Sequence, residues 1–134
     1  MQISRFLRPL AGAAIVFGAL TVFSGGRALF GGPEAAAAVG NAVPFVLWFN
    51  FLAGFAYVLT GVALWQRRPW SFWAASLLLV ATGAVALALA VHVQGGAAYE
   101  SRTVGAMGIR VVFWLVVAAV AAAALRRGPR ADRA

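Results

Sequence analysis

Four apolar stretches, each about as long as a bilayer is thick, constrain this chain more than anything else in it. They run Pro9–Ser24, Val43–Trp65, Ser71–Val93 and Gly108–Leu125. A hydrocarbon core ~30 Å thick is crossed by about 20 residues of α-helix. A chain of 134 residues carrying four such stretches has little else with which to bury them in water. The fold class read from the sequence is therefore all-α: a polytopic membrane protein, one transmembrane domain over residues 1–134. It forms a four-transmembrane-helix bundle, with short loops and a basic tail at 126–134.

Composition agrees and removes several functions. The chain is 63% hydrophobic and 10% charged, outside the globular range. A net charge of +8 would ordinarily suggest nucleic acid, but the arginines sit at helix ends rather than along one soluble face, so no nucleic-acid partner is expected. All 11 basic residues are arginine, which together with abundant Ala and Gly fits a GC-rich bacterial genome. Cysteine is absent, which excludes disulfides, thiolate metal sites and four-helix thiol oxidoreductases. A single histidine, His92, excludes a haem held between two histidines of this chain. Neither a metal nor a cofactor is expected.

The arginines also orient the chain. With four spans, both termini and the central turn share one side. That side holds Arg5, Arg8, Arg67, Arg68, Arg126, Arg127, Arg130 and Arg133, against Arg27, Arg102 and Arg110 on the other. Short Arg-rich loops stay in the cytoplasm, so both termini are expected inside a bacterial inner (plasma) membrane, with the bilayer itself as the principal partner. Trp65, Trp70, Phe72 and Trp73 flank the central turn, as interfacial aromatics do. Residues 1–26 also fit a cleaved signal peptide, since a basic start and an apolar run lead to Ser24-Gly25-Gly26, but no small-x-small cleavage site is evident.

Small residues at helical spacing mark the faces where membrane helices touch. They are Ala14, Gly18, Thr21 and Gly25 in the first stretch, Asn50, Gly54, Tyr57 and Gly61 in the second, and Ser76, Gly83, Ala86 and Ala90 in the third. An internal repeat is suggested by Gly25-Gly26, Glu34 and Trp48 recurring in order as Gly95-Gly96, Glu100 and Trp114. Two parallel hairpins related by an axis along the membrane normal would follow.

The polar residues that need explaining gather toward the outer end. Asn50, His92, Glu100, Arg102 and Arg110 are the candidate ligand-binding residues. Intramembrane polar groups usually face the bundle or a wet cavity. In the functional reading Arg102 or Arg110 meets an anionic ligand, with His92 and Asn50 supplying hydrogen bonds. In the structural reading Arg110 snorkels to the headgroups or stacks on Trp114, Glu100 pairs with Arg102, and Asn50 and Tyr57 bond to neighbouring helices.

No nucleophile stands beside a base, no metal-ligand cluster is present, and no carboxylates are paired, so no catalytic residue is assigned. The expected function is that of a small non-catalytic membrane protein, an accessory or assembly subunit of a larger complex, with a membrane-protein partner or a homo-oligomeric state. Exposed aromatic positions such as Phe45, Trp48 and Trp114 would meet that partner. The alternative is an oligomeric transporter or channel for an anionic solute. An Arg-bearing start, an apolar helix ending in small residues and three further helices together resemble small bacterial four-helix proteins of the DoxX-like kind. That resemblance rests on the arrangement alone, and no residue role is taken from it.

Overall fold

The computed structural model describes residues 3–125, so the basic tail at 126–134 lies outside the described residues. A 3-10 turn at Ile3–Phe6 leads into α1 (Leu7–Phe30), followed by α2 (Pro33–Ala38), α3 (Pro44–Trp65), α4 (Trp70–Gln94) and α5 (Ser101–Leu125). Among the described residues there is no strand. Four helices, all but the short α2, are long and apolar enough to cross a membrane. At about 1.5 Å per residue they span roughly 33–38 Å, somewhat more than a hydrocarbon core.

The four long helices alternate in direction. In space α1 lies beside α3, α3 beside α4, and α4 beside α5, with α5 closing the ring against α1. One end of the bundle carries two loops, 31–43 and 95–100. The other carries the single turn 66–69 and the N-terminal 3-10 turn. Small and polar side chains face inward, among them Ala11, Ala14, Thr60, Ser71, Ala75, Thr82 and Ala121. Leu20, Phe23, Leu77, Val80, Leu87 and Ile109 point outward, each more than 60% exposed. Water would select the reverse. The pattern suits a lipid solvent, in which acyl chains are as apolar as leucine and helices associate by close packing.

The closest packing joins α1 to α3, along the two faces whose small residues the sequence marks. A Cβ on Gly18 would lie 2.7 Å from the Gly54 carbonyl oxygen, and one on Gly61 would lie 2.9 Å from that of Ala11. Glycine at these positions brings two backbones into contact. On α4 the inward face differs from the expected stripe: Ser71, Ala75, Leu78, Thr82 and Leu89 are buried. Ser76, Gly83 and Ala86 are half-buried and Ala90 is exposed. Ala and Gly are too frequent here for spacing alone to mark the face.

Two boundaries also depart from the sequence reading. The first helix continues through Ser24-Gly25-Gly26-Arg27 to Phe30. Gly25 is needed there for contact rather than for a turn, since a Cβ on it would meet Phe51 at 3.0 Å. The last helix starts at Ser101, seven residues before Gly108. These changes dissolve the internal repeat: Gly25 and Gly26 are helical while Gly95 and Gly96 form a turn. Trp48 is 45% exposed while Trp114 is fully buried. Trp114 is therefore a core residue, not an exposed aromatic, because α5 turns it onto Tyr57, 4.9 Å away between ring centroids.

At the single-turn end, α3 closes with a left-handed residue, Arg67 (φ 56°). The Arg68 N–H donates to the Ala63 carbonyl and the Arg67 N–H to that of Leu64, the paired bonds of a Schellman ending. A side chain in this conformation costs roughly 1–2 kcal/mol that glycine avoids. Arg67→Gly is thus expected to stabilise the purified chain by about 1 kcal/mol, less the 3.3 Å bond from Arg67 to the Ser4 carbonyl. Unfolding by titrated denaturing detergent measures it, and a loss of stability would contradict it. Around this end, Trp65, Trp70 and Trp73 are about half to three-quarters exposed, and the Arg8 guanidinium lies over the Trp65 ring at 5.4 Å.

Candidate functional site

The candidate polar residues do not form one group; the structure divides them among three places. Asn50, Glu100 and Arg102 line a cleft of about 240 Å³ at the two-loop end, together with Val39, Leu47 and Thr103. Glu100 accepts the Asn41 N–H at 2.8 Å, which ties the loop before α3 to the start of α5. The expected Glu100–Arg102 pair is replaced by this bond. Gly40 (φ 60°) makes it possible, because a Cβ there would collide with the Glu100 carboxylate. The Asn50 Oδ1 atom is buried without a hydrogen-bond partner, so Asn50 does not tie α3 to a neighbouring helix through it.

Replacing Glu100 by alanine is expected to free the Asn41 amide. A hydrogen bond contributes about 1 kcal/mol, so hydrogen exchange at Asn41 should accelerate roughly fivefold. The exchange of α3 amides should stay unchanged. Equal exchange at Asn41 in both proteins would show that the contact does not hold the loop.

His92 stands apart. It is half-buried and meets Phe45 edge-on, with ring centroids 5.7 Å apart. It does not line the cleft of Asn50 and Glu100.

Arg110 is the third place and the most unusual. Because α5 begins at Ser101, Arg110 lies nine residues into the helix (110 − 101) rather than at its mouth, about 13 Å along the axis. Its guanidinium sits over the ring of Phe17 at 4.9 Å and donates to the Thr21 Oγ1 at 3.4 Å. Thr21 is itself nine residues from the end of α1, and Phe17 thirteen (30 − 17). The arginine therefore reaches across the bundle rather than up to the headgroups, which corrects the snorkelling expectation. It stacks on Phe17, not on Trp114.

The groups around it are two hydroxyls, which can accept or donate, and one indole N–H, which only donates. Tyr57 is fully buried and its hydroxyl faces Arg110 without closing a good hydrogen bond. This differs from the partnered hydroxyl expected in the bundle. The Trp114 indole N–H and the Arg110 Nε–H are likewise buried and unsatisfied. Among the described residues no carboxylate pairs with Arg110. Phe17, Tyr57, Phe113 and Trp114 form one aromatic cluster beneath it, with centroid separations of 4.9 to 5.6 Å.

A cleft of about 360 Å³ opens beside Arg110, between α1 and α5, lined by Phe17, Leu20, Thr21, Phe23 and Ser24. Leu20 and Phe23 are 63% and 69% exposed, so the cleft opens on the outer, apolar surface of the bundle. Of these residues only Arg110 stood out as a candidate ligand residue in the sequence. In the sequence Thr21 and Tyr57 read as packing positions, and Phe17 carries no signal because its role depends on Arg110, 93 residues downstream (110 − 17).

The fold and site define a small four-helix protein whose long helices suit a multi-pass membrane protein. Comparison of the chain with models of known protein families, with curated proteins and with solved structures finds no significant match. The DoxX-like arrangement gains no support from these comparisons.

Proposed function

We propose that this chain is a non-catalytic accessory or assembly subunit of a larger complex in a bacterial inner membrane, with both termini in the cytoplasm. The observation that carries this reading is Arg110. It is a cation held well inside an apolar helix, unpaired, beside a cleft that opens sideways rather than toward water. Intramembrane charge is expensive and is retained where it meets a partner or lines a path. The cytoplasmic placement rests on the eight arginines grouped at the single-turn end and the tail. Retention of residues 1–26 is supported by Ala11, Ala14 and Gly18, which are buried in the bundle where α1 meets α3. Without them Gly54 and Gly61 would lose their packing partner.

The second reading is transport of an anion, favoured by the donor groups of Arg110, Tyr57 and Trp114. Against it, Leu7, Leu64, Leu78, Val117 and Ala121 pack tightly in the half nearer the single turn, leaving a single copy with an apolar plug.

Purification in a mild detergent from the native membrane, followed by size analysis and mass spectrometry, tests the first reading. A stoichiometric membrane protein should accompany the chain. Recovery of the chain alone, from membranes where it is abundant, would overturn the subunit reading. Anion flux into proteoliposomes holding the pure chain would favour the second.

A further inference from the structure

From the depth and charge of the α1–α5 cleft we infer that its occupant is a transmembrane helix of another protein, carrying an aspartate or glutamate near mid-bilayer that pairs with Arg110. The inference rests on the subunit reading above and adds the partner's chemistry.

Charge complementarity comes first. The Arg110 guanidinium is half-buried, and its neighbours are a π face, the Thr21 hydroxyl at 3.4 Å and the Tyr57 hydroxyl that faces it. None of these carries a negative charge to neutralise it, and Nε–H has no acceptor. An arginine offers donors in a fork that a carboxylate matches. The Trp114 N–H is a further donor without an acceptor, and the Tyr57 hydroxyl, neutral and without a partner of its own, has a proton to donate as well. An acidic oxygen is what this place lacks.

Depth then separates the sources of such an oxygen. Arg110 lies about 13 Å inside the end of α5, and its contacts with Thr21 and Phe17 hold the guanidinium at that level or deeper. Headgroup phosphates lie outside a hydrocarbon core ~30 Å thick, beyond its reach. The acidic group therefore has to be carried into the membrane on a helix.

A second copy of this chain does not supply it. Its three acids are Glu34, Glu100 and Asp132. Glu34 and Glu100 lie outside the long helices, and Asp132, outside the described residues, stands between Arg130 and Arg133 in the sequence rather than in an apolar run. The partner is consequently a different protein. Its approach is eased on this side because the cleft wall offers the short side chains of Thr21 and Ser24 between Leu20 and Phe23.

The test uses the full chain in bicelles of zwitterionic lipid with defined probes. Two synthetic leucine-rich helices of about 22 residues differ at one central position, Glu in one and Gln in the other. Association is read by energy transfer from a label on the chain. The Glu helix is expected to bind about tenfold more tightly, the worth of one good intramembrane polar pair. Arg110→Gln should remove that preference, and Arg110→Lys, which keeps the charge, should retain part of it.

Equal binding of the two helices by the wild-type chain would overturn the proposal, as would a Glu preference that survives Arg110→Gln. If Arg110→Gln does not fold, the wild-type comparison decides alone. Protection of Arg110 from phenylglyoxal by acetate or by anionic lipid, but not by the Glu helix, would assign the cleft to a free anion or a headgroup and also overturn it. A native partner that co-purifies equally with wild type and Arg110→Gln would leave the subunit reading standing while removing this inference.

Discussion

Replacing Gly18 by alanine should loosen the bundle by about 2 kcal/mol, and replacing it by valine by more. The added Cβ would stand 2.7 Å from the Gly54 carbonyl oxygen, 2.8 Å from a Val58 methyl and 2.9 Å from the Tyr57 Cβ. The first of these is backbone and does not rotate away. Relief requires α1 and α3 to part, and their separation also lifts α1 from Tyr57 and so from the aromatic cluster. Most of the packing between these helices depends on that approach, because lipid supplies little hydrophobic drive to offset a lost contact. Gly12 offers the control, since a Cβ there meets nothing within 4 Å. Gly12→Ala should leave stability unchanged or raise it by the ~0.5–1 kcal/mol that alanine gains over glycine in a helix. Far-UV circular dichroism during titration with denaturing detergent reads both. Equal stability of Gly18→Ala and Gly12→Ala would show that the α1–α3 contact does not govern the fold.

Arg110→Leu should act in the opposite direction, making the isolated chain more stable by roughly 0.5–1.5 kcal/mol. Folding holds the guanidinium inside the bundle, whereas an unfolded helix lets it snorkel to water. Placing an arginine at the centre of a membrane helix costs about 2.5–3.5 kcal/mol. The stack on Phe17 returns roughly 2 kcal/mol when desolvated. The hydrogen bond to Thr21, long at 3.4 Å, returns little. Leucine forfeits both returns and avoids the larger cost. A residue that lowers the stability of the lone chain is retained for what it does with something else, as functional residues commonly are. The same detergent titration decides it: a clear loss of stability in Arg110→Leu would make the arginine a structural strut and weaken the subunit reading with it.

The α1–α3 interface was legible because glycine at Gly18, Gly54 and Gly61 has few reasons to recur at helical spacing other than close approach. The inward face of α4 was not. Ser76, Gly83, Ala86 and Ala90 share their spacing with the face that is in fact buried, Ser71, Ala75, Leu78 and Thr82. In water an amphipathic pattern would separate two such faces. In lipid both sides of a helix are apolar, and that contrast vanishes. The candidate site was legible only residue by residue. Asn50, Glu100 and Arg102 line one cleft at the two-loop end, whereas His92 stands aside and Arg110 lies in a different place.

What the sequence determined by itself is the solvent this chain is built for. Four long apolar runs give the number of long helices and lengths that suit a bilayer crossing, since these depend on hydropathy and not on any contact. The tertiary structure alone decided what Arg110 means. Where α5 begins sets its depth, and what lies opposite comes from α1, at Thr21, 89 residues away along the chain. Depth and opposition are properties of packed helices, and no local pattern of residues encodes either one.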